Sequence, residues 1–354
     1  MKALITAGGK GTRLRPLTHT QNKHLLRIAN KPILHYALEK MADAGITEVG
    51  ILTNQEGEEV KEALGNGERW GLNITYIPQE SPLGLAHVVK ISQDFIGDEP
   101  FIFYLGDNMV VGGLKKFIDA FEKQGSNCHL TLSKVKDPER FGVPELKDNR
   151  IISIEEKPSN PKSEFAVTGI YIYDSKIFEA VNNIEPSPRG ELEISDAHQY
   201  LLDHDYSISY SEITGWWKDT GKPEDVLEAN RLLLEHATAK ELGDIDNESY
   251  VTGNVVVEKG AKIINSVVRG PVIIGENTVI ENSFVGPFTS IGDDCTIRNS
   301  EVEFSIVMNE AEVLDVGVRI EGSLLGTSAR VVSSPGRPRS NRFMVGDQSL
   351  IEIA

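Results

Sequence analysis

At 354 residues, with 40% hydrophobic and 25% charged positions, the chain has the profile of a folded globular protein. At ~150 residues per domain, that length suggests roughly two or three domains. Acidic residues outnumber basic ones 53 to 36, a formal net charge of −17. That balance excludes a general nucleic-acid or anionic-membrane binder and requires any phosphate site to be built locally.

No window approaches a membrane span, and Met1 to Thr6 is too short an apolar run for a signal peptide. Cys128 and Cys295, the two cysteines, make no disulfide framework and lack metal-ligand spacing. Both read as reduced and structural, which fits a cytoplasmic protein.

In chain order, Lys2–Thr6 reads as a buried strand. Residues 32–44 read as a helix, with Ile33, Ala37 and Met41 at four-residue spacing, Pro32 in its first turn and Gly45 at its stop. Glu48–Thr53 reads as the next strand, Glu58–Leu64 as a short helix, 74–77 as a strand, 85–92 as a helix and Phe101–Leu105 as an all-apolar strand. Such alternation predicts a parallel sheet covered on both faces, with ligands at the carboxyl ends of its strands. Residues 222–242 carry the last helical pattern, with Val226, Leu227, Leu233 and Leu234 on its apolar side.

After Asp246 the texture changes. Val255, Ala261, Val267, Ile273, Val279, Val285, Ile291 and Ile297 recur at intervals of six, with Gly286 and Gly292 directly after two of them and Ile274-Gly275 slightly off register. A hexad repeat predicts a parallel β-helix in which each hexad supplies one short strand and three make a coil. Residues 333–339 are a polar, basic loop. Residues 343–345 and 350–353 read as two strands closing the solenoid end, which needs a cap. The expected division is 1–242, 243–332 and a capping tail 333–354.

Chemistry is expected at the strand ends. Ala7-Gly8-Gly9-Lys10-Gly11-Thr12-Arg13-Leu14 is a glycine-rich loop whose backbone can approach an anion, with Lys10 and Arg13 adding charge. It matches neither the P-loop nor the dinucleotide fingerprint. Gly106-Asp107-Asn108 places a carboxylate after an apolar strand, a hard oxygen donor suited to Mg²⁺ together with substrate phosphates. Asp219 lies in a second such loop. Glu155-Glu156-Lys157-Pro158 offers a carboxylate for sugar hydroxyls beside a lysine for phosphate. Arg189-Gly190-Glu191-Leu192-Glu193-Ile194, taken alone, reads as a solvated charge run.

Together these segments resemble the sugar-1-phosphate nucleotidylyltransferases. The resemblance rests on Gly8-Gly9-x-Gly11-Thr12-Arg13-Leu14-x-Pro16, Lys23 and Lys31-Pro32-Ile33. Pro78-Gln79-x-Ser81-Pro82-x-Gly84-Leu85-Ala86, Asp137 to Val143, Ala166-Val167-Thr168-Gly169 and Trp217-x-Asp219-Thr220-Gly221 narrow it to the glucose-1-phosphate thymidylyltransferases. The hexads and closing tail resemble their long form, associated with deoxysugar biosynthesis. The fold it implies is α/β: a Rossmann-like nucleotidyltransferase domain with a mostly parallel mixed sheet, followed by a left-handed parallel β-helix.

The resemblance implies Mg²⁺-dependent transfer of a thymidylyl group from dTTP to glucose 1-phosphate, giving dTDP-glucose and pyrophosphate. It assigns Gly8, Gly9, Gly11 and Thr12 to the nucleotide and its phosphates, and Arg13 and Lys23 to phosphate charge. Gln79 and Gly84 read the thymine edge. Asp107 and Asp219 hold the metal, Asp107 also lying near the deoxyribose. Gly142, Glu156 and Val167 line the sugar pocket, and Lys157 and Arg189 clamp the sugar phosphate.

His24 and Arg27 depart from the family pattern. Arg27 is either a surface exchange or a phosphate contact. The alternatives are a relaxed or UTP-preferring enzyme, since one methyl distinguishes uracil from thymine, and a non-catalytic regulatory homologue. An acetyltransferase β-helix lacks its base, because no histidine follows His236. Flat, repetitive coil faces suit a homo-oligomer.

Overall fold

The computed structural model describes residues 1–54, 57–333, 341 and 343–353. Internal contacts divide the chain into two compact units, each contributed by more than one stretch of sequence. Met1–Lys10, Asn22–Leu25 and Ile33–Asp219 form the first; Gly11–Gln21, Leu26–Pro32 and the chain from Thr220 onward form the second.

The first unit is built on a nine-stranded sheet. Lys2–Thr6 runs parallel between Glu48–Thr53 and Phe101–Leu105, and Asn73–Pro78 extends that parallel half. Phe101, Phe103 and Tyr104 are completely buried, as a central strand covered on both faces requires. Phe165–Tyr173 reverses the direction, pairing antiparallel with Phe101–Leu105 on one side and Cys128–Lys134 on the other. Gly142–Lys147 and Arg150–Glu156 form an antiparallel hairpin at the edge, joined through the Gly142–Val167 pair.

The sheet is therefore mixed, and the reversal begins beyond the stretch whose alternation was readable. Two hydrophobic clusters cover its faces. Leu34, Ala37, Leu38 and Met41 of the Ile33–Asp43 helix pack on one, and Ala86, Val88 and Val89 of the Leu85–Ile91 helix on the other. Pro32 pairs with Arg27 in a small hairpin instead of opening the helix.

The carboxyl ends of the four parallel strands release the loops after Thr6, Thr53, Pro78 and Leu105. Three of these carry the predicted motifs, which is where an open α/β sheet leaves room for a ligand.

In the second unit the Pro223–Leu234 helix ends eight residues short of its predicted limit. Lys240–Glu241 already pairs with Val255–Val257 as a coil strand. Three parallel sheets of six, six and five short strands follow. This is the β-helix that the hexads predict, and the stacked sheets fit the left-handed form.

The spacing is not uniformly six, however. Val255 pairs with Val272, and Ile263 with Ile280, so the central coils are seventeen residues, one short of three hexads, whereas Ser290 to Ile306 spans sixteen and Ile306 to Leu324 eighteen. A strict count of six consequently drifts. Val267, Ile273 and Val279 are only half-buried, whereas Val268, Ile274 and Ile280 point into the core.

Asn265, Asn282 and Asn299 occupy left-handed corners, a conformation Asn tolerates. Asn265 donates to the Asn282 side chain at 2.7 Å.

The loop predicted at 333–339 lies, after Ser333, outside the described residues. Residues 343–345 and 350–353 form no strand, and Met344 and Leu350 are 95% and 82% exposed.

Candidate active site

At the end of the first strand, Ala7 donates its N–H to Leu52 O at 2.7 Å, turning the chain into the glycine loop. A Cβ on Gly9 would lie 2.6 Å from Lys23 Cε, so this glycine lets the lysine lie across the loop. Lys23 Nζ donates to Asp107 Oδ2 in a close, mostly buried ion pair. Burial would raise the Asp107 carboxyl. The Lys23 ammonium, with hydrogen bonds from Lys23 and Asn108, instead holds it well below the usual carboxylate range.

His24 is buried beside this pair. Asn22 Nδ2 donates to Ala7 O at 2.9 Å, which fixes the amide so that its oxygen meets His24 Nδ1 at 2.9 Å. Burial, then Lys23, lowers the His24 pKa to about 3, against the pull of Asp107. A neutral ring thus occupies a position next to a cation and adds no charge of its own.

Asn108 is the tie-point of the second loop. Its Nδ2 donates to Asp107 Oδ1 at 3.0 Å, and its Oδ1 accepts from Gly169 N at 3.2 Å and Trp217 Nε1 at 2.6 Å. Trp217–Asp219 pairs antiparallel with Asn108–Val110, setting Asp219 directly opposite Asn108 and so one residue from Asp107 along the chain. Two carboxylates, Asp219 at the end of one strand and Asp107 in the turn just before its partner strand, suit a hard cation that completes its shell with phosphate oxygens and water.

Gly142, Glu156 and Val167 come from three strands, and the structure brings them together. Gly142 pairs with both Glu156 and Val167. Glu156 Oε2 accepts from Ser195 Oγ at 2.7 Å. Its other oxygen meets Lys157 Nζ at 3.1 Å and an Arg189 nitrogen at 3.5 Å. Glu193, buried, accepts from Arg189 at 2.7 Å and from Ser187 at 2.8 Å. The stretch that reads alone as a solvated charge run is therefore a tethered arginine beside a carboxylate.

Gln79 follows the Asn73–Pro78 strand and donates its backbone N–H to Thr53 O at 2.8 Å. Gly84 has φ +99°, and a Cβ there would sit 2.4 Å from Leu192 O. Gly8 belongs to the first unit with these residues. Gly11, Thr12 and Arg13 belong to the second, where Gly11 is left-handed and Thr12–Leu14 forms a single 3₁₀ turn that leaves Arg13 exposed. Arg27, also in the second unit, meets Asp293 of the β-helix at 3.2 Å. Its structural partner is thus a coil carboxylate.

The sequence profile of the nucleotidyl transferase family matches residues 2–236. The chain belongs to that family. A glucose-1-phosphate thymidylyltransferase of Streptomyces griseus is 49% identical over the full length of both chains. The low-salt glycan biosynthesis nucleotidyltransferase of Haloferax volcanii is 41% identical, again across all of both. Among solved structures, a Bacillus anthracis protein described as a glucose-1-phosphate thymidylyltransferase, crystallised with sucrose, superposes with TM-score 0.64 at 39% identity. That match covers 68% of this nucleotidyl transferase and 98% of the other chain.

Sequence reasoning about this nucleotidyl transferase missed Asn108, Ser195 and Glu193 as supports, and His87, whose Nδ1 lies 3.0 Å from Gln79 Nε2. The supporting contacts span 109, 39 and four residues for Trp217–Asn108, Ser195–Glu156 and Arg189–Glu193. Only the last had a local signal, its i,i+4 spacing.

Proposed function

We propose that this nucleotidyl transferase moves a thymidylyl group from dTTP to α-D-glucose 1-phosphate. A phosphate oxygen of the sugar attacks the α-phosphorus in line. That P–O bond forms as the α–β phosphoanhydride bond breaks, and pyrophosphate leaves with the electron pair. The observation that carries the reading is the full-length similarity to a protein of that name. The convergence of Gly142, Glu156 and Val167 beside two cations supports it.

In this reading Glu156, held by Ser195, accepts sugar hydroxyls. Lys157 and Arg189 offset the sugar phosphate. Gly8, Gly9, Gly11 and Thr12 cradle the nucleotide, while Arg13 and Lys23 meet the charge of the triphosphate. Gln79 and Gly84 read the base. Catalysis is positioning and charge compensation, without a covalent intermediate on the protein. Asp107 and Asp219 would hold Mg²⁺, which when bound screens the phosphate charges that oppose attack.

Among the described residues no helix is long and apolar enough to cross a membrane, and both cysteines are free and buried. We place the protein in the cytoplasm, as a homo-oligomer assembled through its flat coil faces.

Pyrophosphate release with Mg²⁺ and glucose 1-phosphate, run in parallel with dTTP, UTP, dATP and GTP, tests the function. Release confined to dTTP supports strict thymidylyl transfer, and equal release with UTP replaces it with relaxed specificity. Silence with every nucleotide overturns it. Light scattering at two protein concentrations tests assembly; a mass of 39.0 kDa at both overturns the oligomer.

A further inference from the structure

Gln79 is itself held in place. Its amide nitrogen lies 3.0 Å from His87 Nδ1, eight residues further on, in the first turn of the Leu85–Ile91 helix. An amide nitrogen only donates, so Nδ1 must supply a lone pair and the ring proton sits on Nε2. Burial, then the nearby Lys90 ammonium, lowers the His87 pKa, which keeps the ring neutral near pH 7 with that lone pair available.

Both ends of the bond stand on anchored backbone. Gln79 N–H donates to Thr53 O at 2.8 Å, Leu192 N–H to Leu83 O at 2.8 Å, and Ala86 N–H to Leu192 O at 3.0 Å.

With one Nε2–H committed to His87, the amide is kept from flipping. It presents its oxygen as an acceptor and its remaining N–H as a donor. The imide edge of thymine or uracil, an N3–H beside a carbonyl, requires that pair in that sense. The corresponding edge of cytosine, a bare N3 beside an amino group, requires the reverse.

We propose that His87 is a specificity-determining positioning residue that locks the Gln79 amide to match thymine or uracil and to mismatch cytosine. The inference rests on the reading that Gln79 meets the base.

His87 is only half-buried and lines a cavity of about 310 Å³ with Pro78, Glu80, Ser81, Leu83 and Ile91. Replacing it therefore leaves the packed core intact. The test is steady-state kinetics of the full-length protein with dTTP and with dCTP, at saturating glucose 1-phosphate and Mg²⁺, for wild type, His87→Leu and His87→Asn.

Wild type should favour dTTP. His87→Leu, without an acceptor, should lower the dTTP-to-dCTP ratio of kcat/KM by about tenfold or more, mainly by raising KM for dTTP while kcat holds. His87→Asn, whose oxygen can accept near the place of Nδ1, should recover most of the discrimination, a rescue that a merely structural role would not show.

A His87→Leu ratio within about twofold of wild type overturns the inference alone. Wild type using both nucleotides equally overturns the base-reading role of Gln79 beneath it. Thermal melts accompany each variant, and His87→Ala replaces His87→Leu should the latter not fold.

Discussion

Trp217 donates its indole N–H to Asn108 Oδ1 at 2.6 Å, and this bond holds the strand of Asp219 against the loop of Asp107. Asn108→Ala leaves that indole N–H and the Gly169 N–H without their acceptor in a buried place. A loss of about 2–6 kcal/mol is expected, from ~1–3 kcal/mol for each of the two orphaned donors. Urea unfolding measures the loss. The Mg²⁺ concentration for half-maximal activity should rise in the same variant, because Asp107 also loses its 3.0 Å bond from Asn108. Unchanged stability would remove Asn108 as the tie-point.

Arg13 is exposed in its 3₁₀ turn. Arg13→Ala should leave the melting temperature within a degree or so of wild type yet cost about 2–4 kcal/mol of transition-state stabilisation in kcat/KM. Arg13→Lys should recover little of it, since a point charge does not reproduce a fork on phosphate. Full turnover in Arg13→Ala takes the residue out of the mechanism.

Gly142→Ala tests the sugar pocket. The added Cβ would sit 2.7 Å from Ser195 Oγ and 3.5 Å from Glu156 Oε2. The hydroxyl can rotate away, so the fold should survive while the Ser195–Glu156 bond is lost. KM for glucose 1-phosphate should rise by about tenfold or more with KM for dTTP unchanged. Equal changes in both would point to a general distortion of the site.

Three buried histidines predict a direction of pH dependence. Burial lowers the pKa values of His24, His129 and His198 from 6.5 to about 3, 4 and 3. As pH falls below 6.5 the unfolded chain takes up protons that the folded protein refuses, so stability drops, by ~1.4 kcal/mol per pH unit for each histidine.

His198 Nε2 meets the Tyr173 hydroxyl at 2.7 Å, and its ring packs against Tyr171 and Tyr173. His198→Phe should keep the ring packing and flatten the pH slope. Urea titrations at pH 7 and pH 5 read this through tryptophan fluorescence. Trp70, Trp216 and Trp217 are the three tryptophans, and all lie in the first unit. An unaltered slope in His198→Phe would count against a neutral buried ring.

Where local pattern decides the structure, the sequence was readable. Lys2–Thr6, Glu48–Thr53, Glu58–Leu64 and Phe101–Leu105 form with the bounds that their apolar runs and flanking turns predict. The hexads predict the β-helix, but not the coil shortened to seventeen residues. That missing residue belongs to stacking between coils, and a one-dimensional count carries no signal for it.

In the site, the motifs name the side chains that we propose face substrate. They do not show what steadies them. Ser195 reaches Glu156 from 39 residues away, and Asn108 accepts from Trp217 across 109. The 222–242 reading overran because the apolar side of the helix continues into Leu242, whose N–H instead donates to Val257 O as part of a coil.

The coil length has a consequence for how such a domain changes size. Because Val255 lies under Val272, and Ile263 under Ile280, a cut or insertion of one whole coil returns every later side chain to its own column. A change of six residues shifts each later strand onto the next face, where the shortened corner no longer falls in the same place. Lengthening or trimming of this domain in descendants should therefore proceed by duplication or loss of complete coils, and single-hexad variants should be rare.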